Sequence, residues 1–377
     1  MGRKGAGFIE ALLRPRSVAL IGASDDASKT AARPLQFLRR AGFAGKIYPV
    51  NARRETVLGE KAWPSLDALP EAPEHAYILA PTDAVLQSVE QCARRGVKVA
   101  TILAAGFAEA GDEGRAREAK LLEIASKSGM RIIGPSSLGV VNLKNGLLLT
   151  ANAAFAEPEL PTGNIMVASH SGTMIGSLVS RGKARGIGFG ALVSMGNEVD
   201  LGIGELCAAT LDWPEIGGYL LFLETLRKAD VLRDFAAAAA ARGKPVLAYK
   251  LGRSAPAAEL ALSHTGALAG EDDVADAFFR DCGIARVQTL EGLLEGLPLV
   301  SRISISKKKP SVAVVTTTGG GAAMVVDQLG VRGIESIRTI DLTLAGARYD
   351  VMKGALDQLL SGSQHDLVVA VVGSSAR

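Results

Sequence analysis

Three short stretches pair a side chain that can carry or steady charge with small residues that leave room for a ligand. LSHTGALAG, Leu262 to Gly270, sets His264 between two hydroxyl residues and ahead of Gly266 and Ala267. SHSGT places Ser171, Gly172 and Thr173 behind the apolar run IMVAS, and LLFLET ends another apolar run on Glu224. The amides at a helix N-terminus point outward and carry partial positive charge, so a strand, a small or hydroxyl turn and then a helix make an anion cradle. SHSGTMIGSLV and SHTGALAGEDDVADAFF both have that layout. A carboxylate beside a histidine fixes the ring's tautomer and steadies its cation. Glu224 beside His264, faced by two phosphate-cradling helix ends, would suit a histidine that accepts a phosphoryl group. Taken singly, each piece has a plainer reading: Ser-Gly-Thr as a helix cap, Glu224 as a strand-end charge, His264 as the cap of its own helix.

A second constellation lies nearer the start. SVALIG is followed by ASDDASKTAARP, which keeps Gly22 but lacks the further glycines of a dinucleotide fingerprint. KIYPVN ends on Asn51 where an acidic residue would take ribose hydroxyls, and Arg53 and Arg54 follow. NAD fits that pattern poorly. The arginines suit an extra phosphate, either the 2′-phosphate of NADP or the 3′-phosphate of coenzyme A, or they are solvated surface charges. A nucleotide on an open sheet lies outside the carboxyl ends of the strands. That singles out Gly22, Ala23, Ser24 and Lys29 at the first turn and Val50, Asn51 and Arg53 at the second. Ala80 and Pro81 stand at the third, and Ala105, Gly106 and Phe107 at the fourth.

The elements that must hold these groups are legible as short apolar runs alternating with helical stretches: SVALIG, KIYPVN, HAYILA, VKVATILAAG and RIIGPSSLGVVN, then IMVAS, FGALVSM, GYLLFLET, PVLAYK and ARVQTL. Strands covered on both faces lose in-out alternation, so this is the rhythm of parallel α/β sheets. We expect tandem open parallel-sheet domains at residues 1–155 and 164–302, joined by the proline-containing AFAEPELPTGN. A partial third domain is expected at 309–377, with two clear strands and one more, so either the chain is a piece or a partner supplies the rest. Length agrees: 377 residues exceed one average domain of roughly 150 residues.

Composition removes other classes. A net charge of +3 with scattered basic residues gives no nucleic-acid surface. The three cysteines have neither disulfide nor zinc spacing, which fits a reducing cytoplasm and assigns no metal ligands within the chain. No apolar run approaches the roughly 20 residues that span a bilayer, and the start lacks a signal-peptide core, so a cytoplasmic protein without membrane contacts is expected.

Taken in order, IGASDDASKTAARPLQFLRRAGFAGKIYPVN, GPSSLGVVN, SHSGTMIGSLVSRGKARGIGFGALVSMGNEVD, LLFLET and SHTGALAG resemble the NDP-forming acyl-CoA synthetases, kin of succinyl-CoA synthetase. The resemblance covers nearly the whole chain. It implies a Rossmann-like CoA-binding domain followed by flavodoxin-like, succinyl-CoA synthetase-like domains. It also implies an acid-thiol ligase that interconverts a carboxylic acid, CoA and ATP with acyl-CoA, ADP and phosphate through an acyl phosphate and a phosphohistidine. By matching position, His264 would be that histidine and Glu224 its supporting carboxylate. Ser171, Gly172, Thr173, Gly266 and Ala267 would hold phosphate, and Asn197 in GNEVD would lie near the acyl phosphate unless GNEVD is a plain loop whose Asp200 caps the next helix. Ser136 and Ser137 depart from the asparagine and cysteine common in relatives. No ATP-grasp pattern is present, so ATP, ADP and Mg2+ would enter through an ATP-grasp domain or subunit, and an oligomer is expected. An NADP-dependent oxidoreductase and a CoA-sensing regulatory module of an acyltransferase are the alternatives.

Overall fold

The computed structural model describes residues 6–254, 256–257, 272–301 and 309–373; His264, Gly266 and Ala267 lie outside them. It divides into two compact units, Met1–Ser301 and Arg302–Arg377.

The larger unit opens with helix α1 (Ala6–Leu13) and a five-stranded parallel sheet. Its strands are β1 (Ser17–Ile21), β2 (Lys46–Val50), β5 (His75–Ile78), β6 (Val99–Ile102) and β7 (Arg131–Ile133), in the order β2-β1-β5-β6-β7. A two-stranded hairpin, β3 (Thr56–Val57) and β4 (Glu60–Lys61), follows β2. Helices α2 (Arg33–Arg40), α3 (Thr82–Arg95) and α4 (Asp112–Ser128) make the crossovers. Strands β1, β5 and β6 are buried throughout, which is why they read as continuous apolar runs.

The second sheet has seven strands in the order β14-β13-β12-β10-β11-β8-β9. They are β8 (Gly139–Asn142), β9 (Leu147–Thr150), β10 (Thr162–Ser169), β11 (Phe189–Ser194), β12 (Gly218–Leu223), β13 (Val246–Lys250) and β14 (Ala285–Val287). Helices α5 (Gly172–Ala184), α6 (Ile203–Ala208), α7 (Ala229–Ala241), α8 (Asp272–Asp281) and α9 (Leu290–Val300) accompany them. Here the structure departs from the expected boundary at residue 155. RIIGPSSLGVVN divides: RII closes the first sheet, whereas GVVN pairs antiparallel with β11 and LLLT antiparallel with GVVN. An apolar run reports burial and is silent about which sheet provides it. The two sheets also share one core, running from Leu12 and Leu20 through Val140 and Leu149 to Tyr219 and Phe235.

The smaller unit holds a parallel three-stranded sheet, β16-β15-β17, of β15 (Val312–Thr316), β16 (Ile337–Asp341) and β17 (Leu367–Val371), with helices α10 (Gly319–Val331) and α11 (Tyr349–Ser361). Among the described residues, no helix is long and apolar enough to cross a membrane.

A polar clamp locks the first sheet to the loop after β11. The Arg131 guanidinium donates through Nε and Nη2 to the two carboxylate oxygens of Asp200, at 2.9 and 3.1 Å, and the Ile132 amide donates to Asp200 Oδ2 at 2.8 Å. Glu205 joins Arg131 to Lys228, both at 3.1 Å. Asp200 therefore does not cap α6 as the loop reading of GNEVD had it; its charge is spent on Arg131, and the Glu205 carboxylate takes the Gly202 amide at the helix start. A planar bidentate pair with a further amide donor is worth more than an exposed ion pair, because removing one partner strands the other. Asp200→Ala is expected to lower stability by about 2–3 kcal/mol, measured by urea unfolding.

Candidate active site

In both sheets of the larger unit the carboxyl ends of the strands meet around one cavity of about 440 Å³. Its wall includes Ala105 and Glu109 from the first sheet and Ser136 from the crossover. Ser171 to Thr173, Asn197 and Glu224 complete it from the second.

Helix α5 starts at Gly172 after an extended Ser171, with φ −84° and ψ 119°, and the Ser171 side chain covers none of the first-turn amides. Its hydroxyl sits 3.1 Å from that of Thr173. Amides that the N-cap side chain leaves uncapped, with two hydroxyls, at a helix N-terminus that opens on a cavity suit an anion. Gly172 is buried, and a Cβ there would lie 2.5 Å from Leu138 Cγ, so only glycine lets the helix seat this deeply. Glu224 follows β12 directly and is 6% exposed.

The sequence reading missed His170, the residue between Ser169 and Ser171. Its ring is buried, and Nδ1 accepts the Glu224 amide at 2.9 Å. Its Nε2 lies 3.0 Å from Glu198 Oε2, off the direction of a good hydrogen bond, so the contact is chiefly electrostatic. An acceptor Nδ1 requires the neutral ring to carry its proton on Nε2, facing Glu198. Glu198 is itself buried and takes the Ile203 amide on its other oxygen at 2.6 Å. Burial works to raise its carboxyl, but the His170 ring, the Ile203 amide and Lys228 outweigh burial and hold it below its ordinary 4.5. The signal for His170 was present, since it is one of only four histidines and stands inside one of the two cradle sequences.

Asn197 reaches the cavity, but its amide is committed. Nδ2 donates to Glu109 Oε2 and to Glu118 Oε1, both at 3.1 Å, which spends both N–H bonds and leaves the side chain only acceptor capacity. Glu109 also takes the Gly106 amide at 2.7 Å; burial raises its carboxyl, yet the backbone amides and Asn197 bring it below the usual range. Of the two serines, Ser136 faces the cavity, while Ser137 is buried and donates to the Ser194 carbonyl at 2.6 Å.

On the first sheet, the expected nucleotide turns gather at one edge. Gly22 has φ +84°, and a Cβ there would come within 3.1 Å of the Ala80 amide nitrogen. The Asn51 side-chain amide donates through Nδ2 to the Ala23 carbonyl at 3.0 Å, and the Thr82 hydroxyl to the Ala105 carbonyl at 2.7 Å. Lys29, Arg53, Arg54, Pro81 and Ala105 are exposed and Ser24 half-buried. Ala23, Val50 and Phe107 have buried side chains, so only their backbones can meet a ligand. Among the described residues, no cluster of histidine, cysteine or carboxylate groups could hold a metal.

Residues 16–142 match a family described as a CoA binding domain, and residues 162–300 one described as a succinyl-CoA ligase like flavodoxin domain. The alpha subunit of the ADP-forming acetate–CoA ligase II of Pyrococcus furiosus is 32% identical over 371 residues, covering 95% of this chain and 78% of that one. The chain belongs to the NDP-forming acyl-CoA synthetase family. The ADP-forming acetate–CoA ligase II of Archaeoglobus fulgidus is 32% identical over 305 residues, covering 78% of this chain. The chain spans 44% of that relative's length. The apo form of acetyl-coenzyme A synthetase 1 from Ca. Korarchaeum cryptofilum superimposes with a TM-score of 0.87 at 26% identity, covering 98% of this chain and 83% of that one. Family membership sets aside the NADP reading of Arg53 and Arg54.

The depressed Glu198 carboxyl has a consequence for acid stability. A group whose folded value lies below its unfolded one adds stability above the unfolded value, here 4.5, and loses it as pH falls through the folded value. Replacing Glu198 with Gln removes that titration. The stability gap between about pH 6 and about pH 3.5, read from urea unfolding, is expected to narrow in E198Q relative to wild type.

Proposed function

We propose that this chain is the portion of an NDP-forming acyl-CoA synthetase that binds coenzyme A and carries the phosphoryl group on His264, with a carboxylic acid as the acyl substrate. The observation that supports this best is the shared cavity: the buried Glu224 carboxylate and the open N-terminus of α5 line the same space, reached from the carboxyl edge of the first sheet.

In the synthetic direction the phosphoryl group leaves the His264 ring nitrogen for an oxygen of the substrate carboxylate; the P–N bond breaks as the P–O bond forms, and the imidazole returns to neutral. Glu224 orients the ring and steadies its charge, while the Ser171–Thr173 turn and, by position, Gly266 and Ala267 hold the phosphoryl oxygens. Most of the catalysis is therefore positioning and electrostatic stabilisation. Coenzyme A supplies the thiol that displaces phosphate from the acyl phosphate. Gly22, Asn51 and the Ala80–Pro81 and Ala105–Gly106 turns fit its phosphates, because small residues let backbone amides approach. Arg53 and Arg54 suit the 3′-phosphate. Asn197, with its N–H bonds spent on Glu109 and Glu118, holds two walls of the cavity together and does not donate to the acyl phosphate. Recharging of His264 belongs to an ATP-grasp domain or subunit that brings ATP and Mg2+, in a cytoplasmic oligomer.

Incubation with acetyl-CoA and inorganic phosphate is expected to add one acid-labile phosphate, seen as a mass increment on the intact protein. His264→Ala should abolish it, and Glu224→Gln should slow it by about 100-fold. A CoA-sensing module would bind the acyl-CoA and remain unlabelled. Separately, Arg53→Ala is expected to weaken coenzyme A by about tenfold in calorimetric titration while leaving dephospho-CoA unchanged.

A further inference from the structure

The turn Leu223–Glu224–Thr225 must be held still if the Glu224 carboxylate is to face one direction. The parallel pairing of β10 and β12 ends with the His170 amide donating to the Phe222 carbonyl at 3.0 Å. In a continued parallel ladder the next donor, the Glu224 amide, would meet the His170 carbonyl. It goes instead to the His170 ring, 2.9 Å from Nδ1, with the Thr225 amide 3.5 Å from the same atom. A side chain thus takes over from the backbone where the strand ends. The ring cannot turn freely, because Glu198 faces its other nitrogen at 3.0 Å and is itself fixed by the Ile203 amide at 2.6 Å. All three side chains are buried, at 7%, 7% and 6% exposure for His170, Glu198 and Glu224. With Nδ1 accepting the Glu224 amide and Nε2 carrying the proton of the neutral ring, His170 has no free lone pair to accept a phosphoryl group itself.

We propose that His170, oriented by Glu198, is the positioning residue that aims the Glu224 carboxylate into the cavity, acting through the Glu224 backbone amide. The importance of this aim rests on the reading of Glu224 as the support of the phosphohistidine. The chain of contacts Glu198, His170, Glu224 links the loop after β11, the end of β10 and the end of β12, so the direction of one carboxylate is set by three elements at once. Leucine at position 170 would fill the space and lose both contacts; glutamine could restore an acceptor for the amide and a donor for Glu198.

Two measurements on the full chain test this. The first is hydrogen–deuterium exchange of the peptide containing Glu224 and Thr225, which reads the tie itself whatever the chemistry. His170→Leu should speed that exchange and His170→Gln should return it toward wild type. The second is the single-turnover rate of phosphate labelling from acetyl-CoA and inorganic phosphate. His170→Leu should lower this rate by about 10- to 100-fold with the half-saturating phosphate concentration and the melting temperature near wild type, and His170→Gln should recover most of it. Unchanged exchange in His170→Leu, or a wild-type labelling rate in that variant, overturns the proposal. So does a His170→Gln variant as slow as His170→Leu. A wild-type chain that never labels while the exchange pattern holds as expected instead overturns the phosphohistidine reading and leaves the tie between His170 and Glu224 standing.

Discussion

The site depends on a stretch of backbone hydrogen bonds between two segments far apart in sequence. As the chain leaves β7 and crosses to the second sheet, the Gly134 amide donates to the Met195 carbonyl at 3.1 Å and Pro135 accepts the Asn197 amide at 3.0 Å. Gly134 and Ile132 accept the amides of Val199 and Leu201, at 3.3 and 3.2 Å. On its other side the crossover is tied to the end of β6, with the Ser136 and Ser137 amides donating to Ala104 and Ile102, both at 3.0 Å. The crossover is therefore a shared wall, bonded to the first sheet by one edge and to GNEVD by the other. Buried backbone groups must find partners, and here each sheet supplies them for the other.

Close approach on that wall is possible only with glycine at particular points. Gly196 has φ +58°, and a Cβ there would fall 1.9 Å from the Pro135 carbonyl oxygen. Gly139, at φ +113°, would meet the Leu149 carbonyl at 2.2 Å. These two positions let the crossover, the loop after β11 and the β8–β9 pair stack without a side chain between them. The Arg131–Asp200 pair then fixes the far end of the same loop.

Charge in the cavity wall follows from this geometry. Glu109 and Glu198 are held below the ordinary carboxyl value against the cost of burial, Glu198 by the His170 ring, the Ile203 amide and Lys228, and Glu109 by backbone amides, that of Gly106 among them, and Asn197. The helix terminus at Ser171 offers the opposite sign. Glu109 and the amides of α5 thus present opposite charge to the same cavity. Fixed charges of both signs, already oriented by internal hydrogen bonds, need no rearrangement to meet a charged ligand.

Much of this was written locally in the sequence. Burial on both faces makes strand runs apolar, helix N-termini demand small and hydroxyl residues, and a strand end is where a carboxylate such as Glu224 can stand; each is a matter of a few neighbouring residues. The turns at Gly22, Asn51, Ala80 and Ala105 were legible for the same reason. What the tertiary structure alone decided were pairings over long separations: that GVVN leaves the first sheet, that Asp200 serves Arg131, that Asn197 spends its amide on two carboxylates, and that His170 meets both Glu224 and Glu198. Hydrogen-bond partners are chosen by direction and distance in space, and residue types and their spacing along the chain carry no record of either.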